Sequence, residues 1–233
     1  MEKTIIEIKD VWKTYKIGDN EVHALRGLNL KVKEGEFLAI MGPSGSGKST
    51  SMNMVGCLDI PTKGSVHLSG QDISKMTESK LAQIRGKKIG FIFQKFNLIG
   101  TLTAKENIML PMMFQNISAQ ERSKKADELL KLVDLDERKN HTPGELSGGQ
   151  QQRVAIARSL ANNPAVILAD EPTGNLDSKS GENVMIFLEK LHREKGTTIV
   201  MVTHDENVAK HADRIEYLKD GEIVKSLRKK VKE

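Results

Sequence analysis

A chain of 233 residues is long enough to bury its own core, as one large domain or as a core carrying an inserted lobe. Its 36 basic and 31 acidic residues leave a formal charge of +5, which favours anionic partners such as nucleotides, nucleic acids or lipid headgroups only weakly, because the basic residues are scattered among the acidic ones. The single cysteine, Cys57, excludes an internal disulfide framework and points to a reducing compartment, while no stretch approaches the roughly 20 apolar residues of a membrane-crossing helix.

The first residues, Met1-Glu2-Lys3-Thr4, lack the apolar centre of a signal peptide. Ile6, Ile8 and Val11 begin a period-two pattern, and Leu25, Leu28, Leu30 and Val32 form a second strand region closed by a turn at Gly35. Phe37 to Met41 is a short apolar run, the signature of a buried strand, and it leads into Gly42-Pro43-Ser44-Gly45-Ser46-Gly47-Lys48-Ser49. A helix is predicted from Lys48 to about Gly56. Strands follow over Gly64–Gly70 and Ile89–Phe93.

From Phe96 to Asn162 the signals turn helical. Ser118 with Glu121 is a capping box, and Leu129, Leu132 and Val133 give the following helix an apolar face. A second helix is predicted from about Gly149 to Leu160. Val166–Ala169 and Thr198–Val202 then read as buried strands, with Val184, Leu188 and Leu191 at helical spacing between them. Asp220-Gly221 between two apolar runs predicts a hairpin. The basic run Arg228, Lys229, Lys230 and Lys232 reads as a solvated tail. This alternation argues for an α/β core with mainly parallel strands, an N-terminal antiparallel β region and an inserted helical subdomain. The predicted division is a core of 1–95 and 163–233 with an inserted lobe of 96–162.

Gly42 to Ser49 fits the pattern G-x-x-x-x-G-K-[ST] between a strand and a helix. Glycines let successive amides point at phosphate oxygens, and the helix that follows adds its free amides and its dipole. Lys48 supplies a point charge to the terminal phosphates. Ser49 supplies a hydroxyl for Mg2+, which prefers oxygen ligands. The expected ligand is therefore Mg-ATP.

Asp170-Glu171 follows the strand Val166–Ala169. Carboxylates at a strand's C-terminal end can face a phosphate site, with Asp170 toward Mg2+ and Glu171 as general base for an attacking water. Alone, the pair reads more readily as the solvated end of a loop; the phosphate loop upstream reverses that preference. Leu146-Ser147-Gly148-Gly149-Gln150 opens a helix, either as a second anion site or as a plain Ser cap beside a flexible glycine pair. Two phosphate devices about 100 residues apart suggest a symmetric dimer in which each copy completes the other's site.

In combination these motifs resemble the ATPase subunit of ABC (ATP-binding cassette) transporters over essentially the whole chain. Gly42–Ser49 matches the Walker A motif, Leu146–Gln150 the signature motif and Val166–Glu171 the Walker B motif. Asn175-Leu176-Asp177 matches the D-loop. The resemblance implies a P-loop NTPase fold and carries further roles. Tyr15 would stack on adenine, Thr50 would join Gly42–Ser49 in the nucleotide site, and Gln94 would reach Mg2+ or the attacking water. His204 would contact the γ-phosphate, and the signature motif would act in trans across a head-to-tail homodimer. It also implies a separate membrane permease as partner, a peripheral place on the cytoplasmic membrane face, and no nucleic-acid partner. Gly42–Thr50, Asn53, Gly56-Cys57-Leu58-Asp59 and Phe93–Leu98 are similar to lipoprotein-release and macrolide-export ATPases, and the peptide-resistance ATPases share much of this pattern. Ser51 and Lys95 depart from it, standing where leucine and glutamine are usual. The alternative is a soluble ATPase of the same family acting on DNA or ribosomes; the lack of sustained heptads, of a zinc module and of a second cassette argues against it.

Overall fold

The computed structural model describes residues 3–229; Lys230 and Lys232 of the basic run lie outside them. Two long strands, β1 (Thr4–Ile17) and β2 (Asn20–Lys33), pair antiparallel. With β4 (Lys63–Leu68) and β5 (Gln71–Asp72) they make a four-stranded sheet in the order β2-β1-β4-β5. The alternation read from Ile6, Ile8, Leu28, Leu30 and Val32 survives as the buried face of this sheet.

The second sheet has six strands in the order β10-β9-β3-β8-β7-β6. Its members are β3 (Phe37–Met41), β6 (Ile89–Phe93), β7 (Val166–Asp170), β8 (Ile199–Thr203), β9 (Arg214–Lys219) and β10 (Glu222–Arg228). All pairs are parallel except the β9–β10 hairpin. Every residue of β3 and β8 is buried, which is why both read as unbroken apolar runs rather than as alternation. One apolar cluster, including Leu38, Ile40, Leu168 and Val200, fills the space between the two sheets; a second, including Phe37, Ala39, Val184 and Leu188, fills the opposite face of the parallel sheet.

The helices are α1 (Lys48–Val55), α2 (Glu78–Lys88), α3 (Ala104–Met113), α4 (Ala119–Leu132), α5 (Gly148–Leu160), α6 (Ser178–Lys195) and the single turn α7 (Glu206–Ala209). A third apolar cluster draws mainly on α3, α4 and α5, around Ile108, Leu130 and Val154. Within α4 one expectation fails. Leu132 is exposed, because the buried stripe runs through Ala126, Leu129, Leu130 and Val133 and leaves Leu132 to one side.

A candidate nucleotide site at the ends of four parallel strands

Parallel pairing brings four distant segments to one edge. Met41 sits opposite Thr203, Asp170 opposite Val202, and Phe93 opposite Asp170. Gly42, Gln94, Glu171 and His204 therefore each stand one residue beyond the last pair of their strand, at the carboxyl ends where α/β sheets place ligands.

A cleft of about 440 Å3 opens at this edge, lined by Ser44, Gly45, Gly47, Lys48, Ser49, Thr50, Gln94, Asp170, Glu171 and His204. Val22, His23 and Ala24 of β2 complete its wall. The structure thus gathers most of the expected nucleotide residues. Gly42, Pro43 and Ser46 do not line it; Ser46 is buried and Pro43 is exposed. Gly47 (φ 99°) is the left-handed N-cap of α1, and a side chain there would meet the Ala24 carbonyl at 2.5 Å.

The Lys48 ammonium donates to the carbonyls of Gly42 (2.7 Å) and Pro43 (2.8 Å), spanning the loop. Ser51, the departure from the family pattern, is buried and donates its hydroxyl to the Lys48 carbonyl at 2.7 Å, which satisfies it inside the helix.

Asp170 ends β7. Burial holds its carboxyl above the usual carboxylate range, the neighbouring Glu171 pushes it the same way, and Lys48 opposes both. A buried carboxylate beside another is a place where a cation is favoured. Together with the Ser49 hydroxyl and the Gln94 amide it makes an all-oxygen donor set, the chemistry that suits Mg2+.

Glu171 takes a left-handed backbone (φ 46°), which costs a non-glycine residue about 1 kcal/mol or more. Its amide donates to the Val202 carbonyl at 2.9 Å, and its own carbonyl accepts from Gly174 at 3.0 Å. These bonds hold the strained residue so that its carboxylate accepts from His204 Nδ1 at 2.8 Å. Gln94 is pinned through its backbone, whose carbonyl accepts from Asn175 at 3.0 Å. A side chain at Gly174 would strike the Gln94 amide at 2.5 Å.

Tyr15 stands apart from this gathering. It does not line the cleft, although its strand partner Val22 does. Its hydroxyl donates to Asp59 at 2.9 Å and the Lys13 ammonium lies 4.9 Å from its ring centre. Burial and the Asp59 carboxylate both raise the Tyr15 phenol. The sequence reading missed Val22, His23, Ala24 and this Lys13–Asp59 clamp, because nothing local marks them; pairing of β2 with β1 places them.

Leu146–Gln150 is also absent from the chain's own cleft. Leu146 is buried. Ser147 caps α5, accepting from the Gln150 amide at 3.3 Å, while the Gln150 side chain accepts from the Ser147 amide at 2.9 Å. The two glycines also have packing reasons: side chains there would press on Leu176 and on Ser180. Asp177 caps α6, and its hydrogen bonds from Ser180 lower its carboxyl.

Residues 25–174 match the model of the ABC transporter family. The chain is 57% identical over 223 residues to an uncharacterized ABC transporter ATP-binding protein, MJ0796, of Methanocaldococcus jannaschii, covering 94% of this chain and 95% of that one. It is 51% identical over 225 residues to the macrolide export ATP-binding/permease protein MacB of Mannheimia succiniciproducens, covering 97% of this chain but 35% of that protein. Among solved structures, the dimer of the ATP-binding cassette MJ0796 in a post-hydrolysis state, bound to ADP and Pi, superposes with a TM-score of 0.88 at 54% identity, over 96% of this chain and 98% of that one. With the phosphate loop and the strand-end carboxylates already gathered at one sheet edge, the chain belongs to the ABC transporter family, as an ATP-binding, ATP-hydrolysing cassette.

Proposed function

We propose that two copies of this chain close head to tail around two Mg-ATP molecules and so drive a separate membrane permease. The single observation carrying this reading is that the two segments suited to anions, the phosphate loop and the Ser147 helix start, do not face each other. The phosphate loop opens into the cleft, whereas Ser147 caps α5 outside it and is exposed. A second copy supplies the missing half of each site, and ATP then favours the closed pair because only that state contacts it from both sides.

In this reading Lys48 and the loop amides, with Thr50 beside them, hold the phosphates. Ser49, Gln94 and Asp170 would hold Mg2+, which would supply positive charge against the phosphates. Glu171 takes a proton from the attacking water, with His204 beside it to fix the carboxylate and reach the γ-phosphate. Ser147 and Gly149 of the other copy cap the same phosphate, Asp177 lies at the junction, and Tyr15, outside the cleft lining, packs on the base. Catalysis is then mostly positioning and charge stabilisation.

The proposed division assigns 1–95 and 163–233 to the catalytic core and 96–162 to a lobe that passes motion to the permease. The separate apolar cluster of α3, α4 and α5 supports it. So does an apolar groove of about 430 Å3 lined by Phe91, Phe93, Leu110, Pro111 and the 77% exposed Phe114. Exposed apolar surface of this kind marks a docking place, here for a permease segment on the cytoplasmic membrane face. The MacB relatives, whose name joins ATP-binding and permease functions in macrolide export, support export as the task, while lipoprotein or peptide cargo rests on the motif resemblance alone.

The test is Glu171→Gln. It is expected to bind ATP normally, to accumulate as a dimer in gel filtration, and to lose turnover by about 10²-fold or more. Turnover at the unmodified rate would refute the base assignment; a monomer in saturating ATP would refute the composite site.

A further inference from the structure

The turn between β9 and β10 does more than reverse the chain. Asp220 (φ 50°) and Gly221 (φ 84°) form a two-residue connection between the paired residues Lys219 and Glu222, the left-handed pair that a tight hairpin requires. Its tip is driven between two other parts of the fold. The Gly221 amide donates to the Ser46 carbonyl of the phosphate loop at 3.0 Å. The Gly221 carbonyl accepts from the Arg26 amide of β2 at 3.1 Å. A side chain on Gly221 would lie 2.9 Å from both the Ala24 carbonyl and the Leu25 Cα, and 3.0 Å from the Arg26 nitrogen.

The same hairpin reaches the loop a second time. A side chain on Gly42 would run into the Leu218 carbonyl of β9, and one on Gly47 would approach the Leu218 side chain at 3.5 Å. The phosphate loop therefore rests on β9 at its start and on the hairpin tip in its middle. Across the tip stands β2, whose Val22, His23 and Ala24 form the facing wall of the cleft.

We propose that Gly221 is a positioning residue for nucleotide: by bonding Ser46 on one side and Arg26 on the other, the hairpin tip sets the spacing between the phosphate loop and the β2 wall. Only glycine fits, for two separate reasons. The backbone is left-handed, and the neighbouring β2 backbone leaves no room for a Cβ. Gly196 meets the first condition without the second, since its φ is 61° and a side chain there would meet nothing within 4 Å. The pair separates backbone strain from displacement of the loop.

This inference rests on nucleotide binding at the loop, and its test reads that binding. Gly221→Ala is expected to raise both the Kd for ATP and the KM for hydrolysis about tenfold, with kcat at saturation within about twofold, because ground and transition states lose the same contacts. Gly196→Ala, which carries the backbone strain without the clash, is expected to lower thermal stability by a smaller amount and to leave Kd and KM within about twofold. Asp220→Asn, which keeps a left-handed turn and the glycine tip, is expected to retain the original Kd. Equal Kd and KM in the Gly221 and Gly196 variants overturns the proposal.

A second measurement needs no variant. Amide hydrogen exchange is followed in the unaltered chain with and without ADP. Slowed exchange at Arg26 and Gly221 together with the loop amides supports the proposal. Slowing confined to the loop overturns it, while no slowing in the loop overturns both it and the nucleotide reading beneath it.

Discussion

The ammonium of Lys48 already satisfies two loop carbonyls, Gly42 and Pro43, from a nearly buried position. A phosphate that displaces those contacts exchanges neutral acceptors for charged ones, and hydrogen bonds to charged groups are worth about 1.5–3 kcal/mol. Lys48→Ala is accordingly expected to weaken ATP binding by about 10- to 100-fold, measured by calorimetry or nucleotide fluorescence. Unchanged affinity would remove the loop from the site. Lys48 was legible in the sequence because it belongs to a short pattern whose chemistry is local, and Asp170 and Glu171 became legible only in the light of that pattern. Asn107 was not. It is fully buried in α3, donates to the carbonyls of Ile99, Leu102 and Thr103, and accepts from the Ile99 amide. It thereby ties down the segment after Gln94, yet no local pattern distinguishes it from a surface asparagine.

Elements were legible in proportion to the apolar face they present. The buried strands β3, β7 and β8 announced themselves as short apolar runs, and α6 by spacing. The helix α2 went unread, because Leu81 is its only buried residue and a polar helix carries no period. Caps supply a different signal. Thr103, Ser118 and Ser147 all open helices with the same reciprocal box, yet only Ser118 was read as one. This likeness allows a controlled comparison. Ser118→Ala and Ser147→Ala are each expected to lower Tm by roughly 2–4 °C, the usual loss for a Ser cap in a chain this size. Only Ser147→Ala should also weaken ATP-dependent dimerisation, since its hydroxyl accepts from Gln150 while its proton stays free for an anion. Equal dimerisation of the two variants, measured by light scattering with Glu171→Gln as background, would leave Ser147 a cap and nothing more.

On the scale of the whole molecule, strand order was the part sequence could not reveal. The alternation of strands and helices implied a parallel sheet, but not that β3 would lie between β8 and β9, and it is that order which brings Gly42 beside His204. The opposite end of the sheet is fastened by charge. The Asp213 carboxylate accepts from His192 Nε2 at 3.1 Å and from the Phe37 amide at 3.0 Å, while the Asp213 carbonyl accepts from the Lys229 amide. One aspartate thus joins the last turn of α6, the start of β3, the approach to β9 and the chain after β10. Its hydrogen bond raises His192 against some opposition from burial and from Arg193, and His192 in turn lowers Asp213, with Phe37 and Lys229 acting in the same sense and burial against it. The signs fix the window. A raised histidine contributes stability that is complete below about pH 6.5 and is lost as pH rises through its folded value; a lowered aspartate contributes above about pH 3.9 and is lost as pH falls through its own. The pair is strongest between those limits. His192→Gln should therefore lie furthest below the unaltered protein in Tm near pH 5.5 and should approach it by pH 8.5. Because the pair sits at the far end of β3 from the cleft, ATP affinity should not follow that curve. A Tm difference that stays constant from pH 5.5 to 8.5 would show that His192 stabilises this end of the sheet by packing against Phe37 alone, whose ring centre lies 5.8 Å away.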